Sequence, residues 1–196
     1  TGSGKTMAYV LPLLMNVNAN KSKNRQVENL VLVPTRELAV QVRDVFERFK
    51  ILLQQRMKTL AVYGGVAINP QVQALGNVDI LIATPGRLLE LVESNAVSLE
   101  HIDTLVLDEA DKMLNLGFKE EMKKVFAFLP DDCQNLLFSA TLSTDISSFR
   151  HGLLKNPLVI SQVEEEEKDI ELIDQLAYFV PQDKKGPLLR YLIKSK

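Results

Sequence analysis

Six short runs of consecutive apolar residues, each stopped by small or polar residues, constrain this 196-residue chain more than any other feature. They are Leu30–Val33, Thr59–Tyr63, Ile80–Ala83, Leu105–Leu107, Leu136–Phe138 and Leu158–Ile160. A strand that is apolar on consecutive positions buries both faces, the habit of a parallel sheet covered by helices on both sides. The stretches between the runs are long enough for crossover helices. From Arg36 to Lys50, residues Leu38, Val42, Val45, Phe46 and Phe49 share one helical stripe. Phe118 to Leu129 repeats the pattern with Met122, Val125, Phe126 and Leu129. Alternating strand and helix predicts a doubly wound, mostly parallel α/β sheet with right-handed crossovers.

Chemistry in such sheets collects at the carboxyl ends of the strands, and the polar clusters follow the runs immediately. Pro34-Thr35-Arg36-Glu37 follows the first run and Gly64-Gly65 the second. Thr84-Pro85-Gly86-Arg87, Asp108-Glu109-Ala110-Asp111 and Ser139-Ala140-Thr141 follow the next three.

Composition narrows the class. With 46% hydrophobic and 24% charged residues, the chain has the balance of a soluble globular protein. Nine glycines and eight prolines are too few for a collagen-like or low-complexity chain. No apolar run approaches the roughly 20 residues of a membrane-spanning helix, so no membrane partner is expected. The single cysteine, Cys133, excludes an internal disulfide and any zinc site with more than one cysteine ligand. It fits a reducing compartment, and with no secretory leader pattern the expected location is cytoplasmic. A formal net charge of −2 means that nucleic-acid binding would have to come from a local groove.

Gly2-Ser3-Gly4-Lys5-Thr6 matches the second half of the phosphate-binding loop G-x-x-x-x-G-K-[ST]. Glycines let backbone N–H groups turn around phosphate oxygens, and the helix from about Lys5 points its positive end at the anion. Lys5 suits the outer phosphates and Thr6 suits magnesium. Alone, the half-motif also fits a flexible Gly/Ser terminus. Asp108, a carboxylate at a strand end, supplies the second magnesium holder that such a loop needs. Glu109 is then suited to orient or deprotonate a water, while Asp111 also fits a helix cap.

Thr1-Gly2-Ser3-Gly4-Lys5-Thr6, Pro34 to Ala39, Gly64-Gly65, Thr84 to Arg87, Asp108 to Asp111 and Ser139 to Thr141 occur in that order. Over residues 1 to 160 this resembles the first RecA-like domain of the DEAD-box RNA helicases of superfamily two, a phosphate-loop NTPase fold. The wording from Asp111 to Phe118 looks like a bacterial member. The resemblance implies ATP and Mg2+ as cofactors and RNA as partner. Thr1 to Thr6 would bind ATP, Thr6 and Asp108 would hold magnesium, and Glu109 would be the catalytic base beside Lys5. Asp111, Ser139 and Thr141 would couple nucleotide state to RNA grip. Pro34, Thr35, Arg36, Glu37, Gly64, Gly65, Thr84, Pro85, Gly86 and Arg87 would line the RNA backbone. Arg36 and Arg87 can each fork onto phosphate, without sequence readout.

The resemblance implies an RNA-stimulated ATPase that unwinds short RNA duplexes and remodels RNA–protein complexes, with protein partners in RNA processing or decay. Two alternatives share these motifs: a DNA-translocating helicase of the same superfamily, and a non-catalytic RNA- or protein-binding module. The upstream segment with which the family reads adenine has no counterpart here, and neither does the second RecA-like domain. The expected organisation is a first RecA-like domain over 1–162, an acidic linker over 163–171 and the opening of the second domain over 172–196. In that opening, 172–180 reads as a strand and Lys184–Ile193 as a helix. The native polypeptide is further expected to carry residues before Thr1 that supply a central strand, without which the sheet would be open in its middle. The remaining features read as structural: His101 and His151 as surface or capping residues, Cys133 as an inert thiol, Pro12 as a kink or packing feature, and the methionines as core filler.

Overall fold

The computed structural model describes residues 4–16, 26–52, 57–140, 154–160 and 176–194. Five parallel strands form one sheet in the order β2-β3-β1-β4-β5. They are β1 (Asn29–Leu32), β2 (Thr59–Val62), β3 (Ile80–Ala83), β4 (Thr104–Leu107) and β5 (Gln134–Leu137). Five of the six apolar runs are therefore strands, in the doubly wound arrangement that their double-sided apolar character predicts.

Helices cover both faces. They are α1 (Lys5–Asn16), α2 (Arg36–Leu52), α3 (Asn69–Ala74), α4 (Pro85–Glu93), α5 (Ala110–Asn115) and α6 (Lys119–Phe126). Their distribution follows from handedness. The step from β1 to β2 runs one way along the sheet, whereas β2 to β3, β3 to β4 and β4 to β5 run the other way. Right-handed crossovers then put α2 on one face and α3 to α6 on the opposite face. The core divides accordingly. Val31, Ile80, Ile82 and Val106 pack with Tyr9, Val42 and Phe46 of α1 and α2. Leu30, Leu32, Leu81 and Leu105 pack with Leu88 and Leu91 of α4 and with Met122 and Val125 of α6. Successive residues of one strand thus enter different cores.

The parallel register puts the last residues of all five strands on one row. Val62 pairs with Ala83, Ala83 with Leu32, Leu32 with Leu107, and Leu107 with Leu137. The ladder continues one residue further, through Thr84 N–H to Val62 O, Val33 N–H to Ala83 O, Asp108 N–H to Leu32 O and Phe138 N–H to Leu107 O, at 2.8–3.1 Å. The polar clusters all begin within two residues of this row.

Several expectations are corrected. Among the described residues the sheet is unbroken, and β1 has a neighbour on each side, so no gap lies in its middle. The edge strands are β2 and β5, and β5 is only half-buried. The sixth run, Leu158–Ile160, is exposed and forms no strand, because apolar composition makes a strand only where a ladder partner meets it. Pro12 lies inside α1 without ending it. Met57, Met113 and Met122 are core residues, but Met15 is exposed. His101 is exposed, whereas His151 lies outside the described residues.

The chain divides into two units, Thr1–Pro157 and Leu158–Lys196. In the second, residues 176–180 have no regular structure, contrary to the strand reading of 172–180, whose first four residues lie outside the described ones. A 3-10 turn at Gln182–Lys184 leads into α7 (Lys185–Lys194), near the predicted helix.

Phe46 is fully buried and its ring lies 6.5 Å from that of Tyr9. Phe46→Ala should cost about 3–5 kcal/mol in urea unfolding, whereas Ile51→Ala, on the exposed end of α2, should change stability by less than about 0.5 kcal/mol. Similar costs for both would contradict this assignment of the core.

Candidate active site

A cleft of about 360 Å³ opens where the row of strand ends meets the start of α1. Gly4, Lys5, Thr6 and Met7 form one wall, Leu38 and Gln41 of α2 another, and Asp108, Glu109, Asp111 and Lys112 with Phe138 to Ala140 the third. It lies beside the junction of β1 and β4, whose following helices leave on opposite faces, the point at which doubly wound sheets form a crevice.

Gly4 has φ +72°, a conformation that costs glycine nothing, and it turns the chain into α1. The first-turn N–H groups of α1 and the Lys5 ammonium bring positive charge to this end, and the first turn holds no acidic residue. Lys5 Nζ donates to the Ser139 carbonyl at 3.3 Å, joining the start of α1 to the loop after β5.

Asp108 is 5% exposed, and its Oδ2 accepts the Tyr9 hydroxyl at 2.8 Å. Burial raises its carboxyl above the ordinary range and the neighbouring Glu109 charge adds to the rise, while the Tyr9 hydrogen bond and Lys5 oppose it. Tyr9 is pushed strongly upward by burial and by Asp108, so it stays a protonated donor.

Glu109 sits at φ 54°, ψ 49°, in the left-handed region. A long side chain there costs about 1–3 kcal/mol, a strain that concentrates at functional positions. The conformation turns the chain sharply from β4 into α5, and Ala110 N–H to Phe138 O at 3.1 Å ties that turn to the end of β5. Glu109 Oε2 pairs with Lys112 Nζ at 2.9 Å, which raises the lysine. Asp111 lies inside α5, whose N-cap is Glu109, so it is not the helix cap; it accepts the neighbouring Lys112 N–H at 3.1 Å.

The remaining clusters follow the other three strands: Gly64-Gly65 after β2, Thr84 to Arg87 after β3 and Pro34 to Glu37 after β1. The structure therefore sorts the sequence motifs along the edge. Thr35 Oγ1 accepts the Leu38 N–H at 3.3 Å at the head of α2. Arg36 is exposed and paired with the exposed Glu37 at 2.7 Å. Arg87 departs from expectation. It is 7% exposed, with Nε on Glu90 at 2.8 Å and Nη2 on the Val66 carbonyl at 2.8 Å. Its guanidinium is turned into the protein, where it pins the loop after β2 to α4. Gly65 has φ +80°, but Gly64 and Gly86 have ordinary φ, and a Cβ at either would meet nothing within 4 Å.

Thr1, Gly2, Ser3 and Thr141 lie outside the described residues. The motif reading missed Tyr9, Gln41, Lys112 and Phe138. Tyr9 alone left a trace in the sequence, a hydroxyl three residues after Thr6 on the apolar face of a helix, where it must find a partner. The Cys133 thiol is pushed up to about 11 by burial.

Comparison with known proteins decides the family: the DEAD/DEAH box helicase family matches residues 1–149. The chain belongs to that family. It is 38% identical over 194 residues to the DEAD-box ATP-dependent RNA helicase CshA of Geobacillus kaustophilus (strain HTA426), covering 98% of this chain and 40% of that protein. The ATP-dependent RNA helicase CshA of Listeria monocytogenes is 37% identical, over 98% of this chain and 36% of that one. Among solved structures, a DEAD box protein from the hyperthermophile Methanococcus jannaschii superposes with a TM-score of 0.74 at 39% identity, covering 80% of this chain and 41% of that one. The yeast DEAD-box splicing factor Prp28 gives 0.71 at 31%, covering 79% and 38%. The chain thus spans about 40% or less of the length of these curated relatives. The fold is the RecA-like domain of DEAD-box proteins, bounded by helices none of which, among the described residues, is long and apolar enough to cross a membrane.

The raised Asp108 carboxyl has a consequence for stability. The folded state binds its proton more tightly than the unfolded state, so the ionised form costs stability at neutral pH. That cost vanishes as pH falls through the folded pKa toward the unfolded value of about 3.9. Asp108→Asn, melted in EDTA, should raise the melting temperature at neutral pH, with a gain that shrinks on acidification. A gain that grows as pH falls would show that Asp108 is not destabilised when ionised.

Proposed function

We propose that this chain is the ATP- and RNA-binding core domain of an ATP-dependent RNA helicase that separates short RNA duplexes and remodels RNA–protein complexes. The observation that carries the reading is the common row of strand ends. The carboxylate and Ser139 motifs follow β4 and β5 and meet Gly4 to Thr6 at the start of α1, while the RNA motifs follow β2, β3 and β1, at one end of one sheet.

At the nucleotide, the first turn of α1 and Lys5 bind phosphate. Lys5 would exchange the Ser139 carbonyl for phosphate oxygen, so occupancy alters the anchorage of the β5 loop. The donor set suits magnesium. Thr6 and Asp108 are hard oxygen donors in one cleft, and a cation would offset the cost of the buried carboxylate. Among the described residues no three His, Cys, Asp or Glu side chains converge on a metal site, which fits a metal held with the nucleotide's phosphates. When bound, Mg2+ neutralises charge developing on the transferred phosphoryl group. Glu109 orients the attacking water and takes its proton. Asp111, Ser139 and Thr141 are assigned the coupling of nucleotide state to RNA grip.

At the RNA face, Gly64 and Gly86 support backbone recognition. Neither φ nor internal packing calls for glycine there, and Gly86 weakens the first turn of α4 by roughly 0.5–1 kcal/mol relative to Ala. The reason is then external, a sugar–phosphate chain lying against the main chain, joined by Pro34, Thr35, Arg36, Glu37, Gly65, Thr84 and Pro85. Arg87 supports this surface from below. Such contacts tolerate any sequence. In this reading 163–171 is a linker, 172–196 opens a second RecA-like domain, and the isolated chain does not unwind duplexes. A cytoplasmic location and partners in RNA processing or decay accompany it.

The test is RNA-stimulated ATPase activity of the full-length protein. Glu109→Gln should abolish turnover while ATP and RNA still bind, and near-normal turnover would remove Glu109 from the base role. Gly64→Ala should leave stability unchanged or raise it by about 0.4–1 kcal/mol. It should nevertheless weaken binding to RNAs of different sequence to the same degree. Unchanged RNA affinity would take Gly64 off the RNA face.

A further inference from the structure

One of the cleft's oxygen donors is held by a residue that does not line it. Tyr9 is fully buried, three residues beyond Thr6 on α1. Its hydroxyl donates to Asp108 Oδ2 at 2.8 Å across 99 residues of sequence. The ring is fixed from two sides, by Phe46 at 6.5 Å and by Phe138 at 5.3 Å between centroids. A phenylalanine would fill the same space with no polar group to satisfy. The hydroxyl's partner is a side chain to which the nucleotide reading gives the metal.

We propose that Tyr9 is a positioning residue for Asp108, orienting its carboxylate toward the magnesium of a bound nucleotide. The inference rests on the nucleotide reading above. An ionised carboxylate has about four lone-pair sites on its two oxygens. The Tyr9 hydroxyl takes one of them at Oδ2, which holds the Asp108 carboxylate in one orientation and leaves lone pairs for the metal's hydration shell. Tyr9 thus does for an oxygen-donor site what outer partners do for ligating carboxylates generally: it sets their direction in advance, and loss of such a partner typically weakens metal affinity by about 10–100-fold.

The test uses the full-length protein and a fluorescent ADP analogue, titrated with magnesium and separately in EDTA. Tyr9→Phe keeps the ring and removes only the hydroxyl. It should leave ADP affinity in EDTA unchanged and raise the magnesium concentration that half-saturates the metal-dependent gain by roughly ten-fold or more. Phe46→Leu is the packing control, loosening the same ring without touching a hydrogen bond. It should lower the melting temperature and leave the magnesium titration in place. An unshifted titration in Tyr9→Phe would overturn the proposal, as would an equal loss of affinity with and without magnesium. An equal shift in Phe46→Leu would overturn it too, by assigning the effect to packing. If the unmutated protein bound ADP with no magnesium dependence, the nucleotide reading itself would fall, and this proposal with it.

Discussion

The in-register ending of five parallel strands is the constraint on which the rest depends. A parallel ladder spaces its hydrogen bonds evenly, so neighbours that stop together carry their next residues out at the same height. Val62, Ala83, Leu32, Leu107 and Leu137 form that row. One further backbone bond per neighbouring pair holds Thr84, Val33, Asp108 and Phe138 just beyond it. The polar loops that follow all five strands start from this fixed line, and the start of α1 meets it at the cleft. Its rigidity comes from the double-sided burial of the strands, because a shift by one residue would exchange the two cores.

On that line the costly elements cluster. A buried carboxylate just after β4, a glutamate in the left-handed region just before α5 and a tyrosine hydroxyl of α1 with no access to water come together at this line. None helps the domain to fold at neutral pH. Asp108 is held against its own desolvation by Tyr9, and Glu109 by the Ala110–Phe138 backbone bond and by Lys112. Strain and buried polarity persist where the surrounding structure over-determines them. The large cores on both faces of the sheet supply that surplus.

What the sequence made legible follows the same division. Strands buried on both faces announce themselves as consecutive apolar residues, and helices facing one core as stripes, so the fold could be read almost entire. The glycine, proline and carboxylate clusters were legible because their types have few other uses at strand ends. Relations across the sheet were not. Nothing in the sequence joins Tyr9 to Asp108, because their contact exists only once α1 packs on the sheet. Arg87 carries a phosphate-binding side chain in a phosphate-binding motif, yet points inward, since side-chain direction depends on where the loop after β2 comes to lie. Leu158–Ile160 has the composition of a strand, but pairing is a property of a neighbour and not of the run itself.

The sorting of motifs along the edge also bounds how the two halves can communicate. β1 and β4 are adjacent, and Asp108 N–H donates to Leu32 O, two residues before Pro34. The row itself is too well tied to act as a switch, since displacing Asp108 along it would break ladder bonds on both sides. Movement therefore belongs to the groups one step out from the row. Lys5 rests on a backbone carbonyl for which a phosphate oxygen is a stronger partner, because a charge-assisted bond to an anion outweighs one to a neutral acceptor. When Lys5 leaves Ser139, the loop after β5 loses a tether while the strand end beneath it stays fixed. A rigid line of strand ends carrying exchangeable side-chain contacts lets nucleotide binding change the loops without disturbing the sheet that aligns them.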